Sequence, residues 1–212
     1  MPRSYTERKT AWAEKMRARG ARADAVRSQS RLPPGQHLVR QLPVLDLGIH
    51  PEMARESWRL EITGAVENPT VLDWPAMVAL PQIESVSDFH CVTTWSRQDC
   101  RWNGVAIAAI LDLVRPAEEA RFVLFTAYDG YTTNTAIEAV THPGAMLAHT
   151  LDGEPLPIAH GGPLRVIIPQ LYAWKGAKWI QRIEFRESDT PGYWEQRGYS
   201  NTADPFLNDR FV

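Results

Sequence analysis

Cysteine is scarce in this 212-residue chain, where Cys91 and Cys100 are the only two. At that separation they form neither a C-x-x-C pair of the zinc or thioredoxin kind nor the disulfide framework of a small secreted domain. No apolar run approaches the ~18 to 20 residues that cross a bilayer, so no membrane insertion is expected. Met1 to Arg31 has no apolar h-region and no twin-arginine signal, which points to a cytoplasmic protein. A formal net charge of −2 leaves no basic footprint for nucleic acid or an anionic membrane. The chain also lacks a G-x-S-x-G elbow, a P-loop, a G-x-G-x-x-G turn and an H-E-x-x-H helix, and its six histidines do not cluster at metal-ligand spacing. Those absences remove the common hydrolase, nucleotide and zinc chemistries.

What is present is ordinary globular material, 44% hydrophobic and 23% charged, with eight tryptophans and sixteen prolines. That composition favours a β-rich, loop-rich fold over a helix bundle. Charge is uneven along it. Met1 to Arg31 carries nine basic residues against Glu7, Glu14 and Asp24, a net +6 that leaves −8 for the remainder. Ala11 to Ser28 is built from good helix formers broken only by Gly20. Leu32-Pro33-Pro34-Gly35 then stops the helix. We therefore expect a basic helical arm over residues 1–31 and one domain over 32–212. The arm either grips a partner or an anionic cofactor, or lies as a solvated helix on the acidic body of its own chain.

Within the body, Trp58, Leu60 and Ile62 alternate with Arg59, Glu61 and Thr63, which predicts a half-buried strand ending at Gly64. Asp73 is placed to cap a short helix with Pro75 near its start and Pro81 beyond its end. Ile107, Ile110, Leu111 and Val114 give a second helix one apolar face. Arg121 to Tyr128, Leu164 to Pro169 and Ile180 to Phe185 read as strands, the first entering a turn at Asp129-Gly130. Strands and short helices mix without a βαβ rhythm, so the expected class is α+β.

Chemistry is concentrated in a few polar stretches. Cys91, just past an expected strand end, is either a small core hydrophobe or a soft sulfur ligand. Three glycine-bearing loops accompany it: Asp129 to Asn134, His160 to Arg165 and Tyr172 to Lys178. The second and third straddle one short apolar strand, so they share a ligand only if the chain folds back on itself. Glycines there let backbone N–H groups approach an anion, with Arg165 and Lys178 as charge-assisted donors. Such a set suits an extended, phosphate-bearing ligand.

Five ordered blocks carry a resemblance. They are Pro34-Gly35-Gln36-His37-Leu38-Val39-Arg40; His90-Cys91-Val92-Thr93-Thr94-Trp95-Ser96; Asp152-Gly153-Glu154-Pro155-Leu156-Pro157 running into His160-Gly161-Gly162-Pro163-Leu164-Arg165; Tyr172 through Trp179; and Pro191-Gly192-Tyr193-Trp194-Glu195. From about Leu32 onward the chain resembles the molybdopterin-binding domain of the sulfite oxidase family, specifically its short single-domain bacterial members. The resemblance implies a mixed α+β domain and a molybdenum-molybdopterin cofactor. It implies Cys91 as the one protein ligand to the metal, whose other sulfurs come from the pterin. It places Val39, Arg40, Thr126, His160, Arg165, Gly176, Ala177 and Lys178 around the pterin and its phosphate.

The chain departs from the family pattern at three points. His149 stands where sulfite oxidases carry an active-site tyrosine, and a histidine there can still handle a proton. The immunoglobulin-like and haem domains of the larger enzymes are not expected. After the cysteine, the C-x-G-N-R style run is replaced by Val92 to Arg97, which leaves Arg40 the better candidate to position a substrate oxyanion, with Arg97 a second. The expected activity is oxygen-atom transfer to or from a small sulfite- or sulfoxide-like molecule, with Cys91, His149 and Arg40 at the reacting centre and electrons exchanged with a separate redox protein. The periplasmic methionine-sulfoxide reductases of the superfamily are a precedent for reduction. The alternative is a non-catalytic molybdopterin carrier or scaffold.

Overall fold

Two sheets frame the core of the computed structural model, which describes residues 30–212. The helix expected over Ala11 to Ser28, and with it all of the basic arm but Ser30 and Arg31, lies outside the described residues. One sheet has the order β3-β2-β11-β6-β7, from β2 (Arg59–Gly64), β3 (Thr70–Asp73), β6 (Phe122–Ala127), β7 (Thr132–Ala136) and β11 (Ile180–Arg186). In it β2 and β11 run parallel, with Ile62 opposite Ile183. The other holds β1 (His37–Leu38), β4 (Gln82–His90), β5 (Trp95–Ala106), β8 (Met146–Leu151), β9 (Glu154–Pro155) and β10 (Arg165–Ile167). The 12-residue β5 is its spine, pairing β4, β8 and β1 at different points along its length.

The alternation that predicted β2 is the one observed. Leu60 and Ile62, with Trp58 just before the strand, are fully buried, facing a core they share with Val123, Phe125, Ile183 and Phe185. Helix α1 (Trp74–Ala79) starts as expected, the Asp73 carboxylate accepting from the Ala76 amide at 2.9 Å. Helix α2 (Ile107–Val114) turns Ile107, Ile110 and Val114 into the same core. A short α3 (Ile137–Val140) follows β7. The expected loop Asp129 to Asn134 is corrected: only Asp129-Gly130 turns, and Thr132 onward is a strand paired to β6.

The sheet built on β5 is covered on both faces, which period-2 alternation makes visible. Leu147 and Val166 point to the core between the sheets, while Met146, Ala148 and Ile167 point to a second cluster containing Phe89, Cys91, Trp95 and Trp102. That second face carries the cavity described next. Among the described residues no helix is long and apolar enough to cross a membrane. The mixed sheets with few short helices agree with the α+β expectation.

Candidate active site

Cys91 is held by the turn that joins β4 to β5. Its amide donates to the Trp95 carbonyl at 2.9 Å, and the Thr94 amide returns to the Cys91 carbonyl at 3.1 Å. Thr94 sits at φ 75°, a left-handed conformation costly for a β-branched residue. Behind the turn Gln36 donates to the Cys91 carbonyl at 3.1 Å and accepts from Ser96 Oγ at 3.2 Å, and His90 Nδ1 meets the same hydroxyl at 2.8 Å. These buried partners fix the direction of the side chain. Cys91 is 7% exposed, and burial pushes its thiol up, against the lesser pull of the Thr93 hydroxyl 3.2 Å away. A thiolate here therefore requires a cation on its sulfur, which a metal supplies.

The thiol faces a cavity of about 340 Å³. Loops that the sequence left at opposite ends of one strand come together on its wall, because the chain does fold back. The Val166 amide donates to the Ala177 carbonyl at 2.9 Å and the Trp179 amide to the Gly161 carbonyl at 3.2 Å. Gly161 makes this approach possible: at φ +105° a Cβ would stand 3.0 Å from Arg165 Cβ and 3.1 Å from Lys178 Cα. A Cβ on Gly176, which lines the cavity, would meet the Val166 carbonyl at 2.5 Å, so only glycine fits there.

Two cations serve this wall. Arg165 is 4% exposed and donates to the carbonyls of His160 (2.8 Å) and Gly176 (3.2 Å). Its guanidinium lies 5.1 Å from the Phe89 ring and 5.9 Å from that of Trp102, and among the described residues its Nε has no hydrogen-bond partner. Among the described residues no carboxylate pairs with it. Burial brings its pKa down to about 10. Lys178, pulled down to about 8 by burial and by the neighbouring Arg165, donates to the Ala159 carbonyl at 2.8 Å and stands 3.5 Å from Asp46. His160 is lowered by burial and by both cations, so it faces the cavity as neutral imidazole.

Of the residues singled out from the sequence, Cys91, His160, Arg165, Gly176 and Lys178 line this one cavity. Ala177 is buried between the last two, and Val39 packs against the cluster that contains Cys91. The others lie elsewhere. Arg40 is exposed off the cavity wall. Thr126 pairs with Thr132 and Arg182 on β6, its strand neighbours Phe125 and Ala127 being the ones turned inward. His149 lies 2.8 Å from Gln82 and packs its ring against the edge of Trp74 at 6.1 Å. Arg97 is tied to Asp152. Sequence reasoning did not assign Asp46 or Tyr131 a role, nor the aromatic wall of Trp174, Trp194 and Tyr199. Aromatic density in the last two blocks was the available signal for the wall; Asp46 carried none.

The donor set fits a molybdenum cofactor. Among the described residues no group of three His, Cys, Asp or Glu is placed to hold a metal, so a metal on Cys91 would take its remaining ligands from a bound organic group. A buried guanidinium without a counter-charge costs several kcal/mol, and an anionic group in the cavity relieves that cost. The bare backbone at Gly176 and a second cation, Lys178, complete a cradle for a phosphate.

Comparison with known proteins identifies the family of the domain that carries this site. The family model for the oxidoreductase molybdopterin binding domain matches residues 47–194. The uncharacterized oxidoreductase YuiH of Bacillus subtilis (strain 168) is 40% identical over 185 residues, covering 86% of this chain and 92% of that protein. The putative protein-methionine-sulfoxide reductase subunit YedZ1 of Azospira oryzae is 33% identical over 149 residues, 70% of this chain and 56% of its own length. The catalytic subunit MsrP of Gluconobacter oxydans is 32% identical over 157 residues, 66% of this chain and 50% of its own. The chain thus spans about half the length of these sulfoxide-reductase relatives. Among solved structures, the sulfane dehydrogenase SoxCD of Paracoccus pantotrophus shares the fold, with a TM-score of 0.61 at 18% identity over 70% of this chain and 42% of that one. From the matched domain and these relatives, the chain belongs to the oxidoreductase molybdopterin-binding domain family.

Proposed function

We propose that this molybdopterin-dependent oxidoreductase transfers an oxygen atom from a small, neutral, sulfoxide-like substrate, drawing electrons one at a time from a separate redox protein. When bound, the cofactor supplies the oxygen-atom and two-electron chemistry. In the net change the S=O bond of the sulfoxide breaks, and the oxygen leaves as water with two electrons from the redox protein and two protons from solvent. The other product is the thioether. Cys91 would hold the metal; Arg165, Lys178 and the backbone at Gly176 would hold the cofactor's anionic part. Relatives named as sulfoxide-reductase subunits support both the direction and the separate electron carrier.

One observation carries the choice of substrate. The two cations on the cavity wall, Arg165 and Lys178, are the ones that would be taken up by the cofactor's anionic part, while Arg40 and Arg97 stand off it. Trp174, Trp194 and Tyr199 line the cavity, in a cluster that packs against Val92 beside Cys91. A sulfite dianion would meet aromatic faces there, whereas a sulfur flanked by carbon groups packs favourably on such rings. Tyr131 also lines the cavity, and its hydroxyl, kept protonated by burial and by Glu195, donates to the Trp174 carbonyl and so braces that wall.

The test is turnover by molybdenum-loaded protein. Viologen-dependent reduction of methyl phenyl sulfoxide is expected, with little oxidation of sulfite by ferricyanide. Efficient sulfite oxidation without sulfoxide reduction would overturn the proposal.

A further inference from the structure

Two tryptophans of the cavity wall are each followed in the chain by a buried charge, and those two charges meet. Lys175 comes after Trp174, Glu195 after Trp194, and Lys175 Nζ lies 2.6 Å from Glu195 Oε1, with side chains 0% and 2% exposed. The same oxygen accepts from the Trp174 indole N–H at 3.2 Å and from the Thr133 hydroxyl at 2.9 Å. Lys175 donates in addition to the Asn134 carbonyl at 2.7 Å. On its other side Trp174 receives the Tyr131 hydroxyl on its carbonyl. The second Glu195 oxygen, Oε2, is buried with no hydrogen-bond partner among the described residues.

This is a poor device for stability alone. Both ions lose their hydration, and one carboxylate oxygen gains nothing in return; apolar side chains of similar volume often serve a core as well or better. What the pair does provide is orientation. The carboxylate sets the plane of the Trp174 ring through its N–H. The ion pair locks the tight turn Ala173–Lys175 against the turn Glu195–Arg197. Ring contacts extend the constraint, Trp174 meeting Tyr199 edge-on at 5.3 Å and Tyr199 meeting Trp194 at 5.0 Å. The geometry points to Lys175 and Glu195 as positioning residues that fix the aromatic wall beside Cys91 and thereby set the affinity for the substrate. The substrate class in this statement rests on the function proposed above.

The test compares wild type with the K175M/E195L double variant, each carrying 5-fluorotryptophan, the fluorine signals of Trp174 and Trp194 being assigned through W174F and W194F. The double variant is expected to keep its molybdenum content and a melting temperature near wild type. Its Trp174 and Trp194 resonances should broaden or split. Its KM for methyl phenyl sulfoxide should rise about tenfold while kcat changes by less than about threefold, the pattern of lost uniform binding. E195Q, which keeps the side-chain volume, should give the same resonance change if the double variant folds poorly. Single, unshifted resonances with an unchanged KM would overturn the positioning role. If wild type reduces no sulfoxide and the resonances still respond, the substrate reading falls and the positioning role stands.

Discussion

The Cys91 amide and the Trp95 carbonyl are joined at 2.9 Å across a turn whose third residue after the cysteine, Thr94, is left-handed. The thiol therefore moves only with the start of β5, and the cavity meets a ligand whose position is set before any metal arrives. Such rigidity is what a one-residue protein ligand set needs. Cys91→Ser changes one atom in this frame. The variant should fold with a melting temperature within a few degrees of wild type. Because a serine hydroxyl is a harder donor that keeps its proton, molybdenum per protein should fall by at least about tenfold. Metal analysis on protein from a molybdopterin-producing host checks this, and wild-type molybdenum in the serine variant would remove Cys91 from the metal.

Lys178 gives the site a pH dependence with a definite sign. Its pKa is lowered from an ordinary 10.5 to about 8, so the ammonium that faces an anion is lost as pH rises through 8. In the cofactor-free protein the same depression means that the unfolded chain binds the proton more tightly. Its contribution to stability thus rises with pH between about 8 and 10.5. Inorganic pyrophosphate binding to cofactor-free protein, measured by calorimetry, should weaken up to about tenfold from pH 7 to pH 9. Lys178→Arg should flatten that profile, since guanidinium keeps its charge throughout. An equally steep profile in the arginine variant would assign the titration to another group.

The sequence made some of this architecture legible for reasons that can be named. Trp58, Leu60 and Ile62 alternate because β2 has one face on the core, and the Asp73 cap and the α2 apolar stripe are local signals. Strand β4 was legible only by its end just before Cys91, and β5 was not visible. Gln82 to His90 is mostly polar, and Trp95 to Ala106 contains Asp99, Asn103 and Gly104, which disfavour strands; pairing on both sides holds β5 extended regardless. At the site, Cys91, His160, Arg165, Gly176 and Lys178 were readable as a motif set, because they sit in blocks with fixed backbone demands. Asp46 was not, since Arg40 to Met53 has no regular structure and no periodicity to read.

His149 shows how a one-residue matter of register decides a role. Along β8, Met146 and Ala148 face the cluster that contains Cys91, and Leu147 faces the core between the sheets. Alternation sends His149 the way of Leu147, toward Trp74 and Gln82. His149→Phe should therefore leave kcat and KM near wild type and cost about 1 kcal/mol of stability through the lost hydrogen bond. Steady-state kinetics with a urea titration checks both. A fall in kcat of a hundredfold or more with the fold intact would return His149 to the reacting centre.

Arg165 separates stability from function most sharply. Among the described residues the buried guanidinium has no carboxylate, and its Nε has no partner. Its removal relieves a desolvation cost of several kcal/mol, against the loss of two hydrogen bonds to the His160 and Gly176 carbonyls, each of which costs about 1 to 3 kcal/mol when left unmade. Arg165→Met, which fills much of the same volume beside Phe89 and Trp102, should leave the cofactor-free protein no less stable than wild type in urea. The same variant should lose its pterin and molybdenum during desalting, because the charge that offsets the cofactor's anionic part is gone. This pairing of an unweakened fold with an empty site is the signature of a residue whose cost is carried for binding. A cofactor-free variant that unfolds at clearly lower urea would instead make Arg165 a brace for the two carbonyls and assign the anion to Lys178 alone.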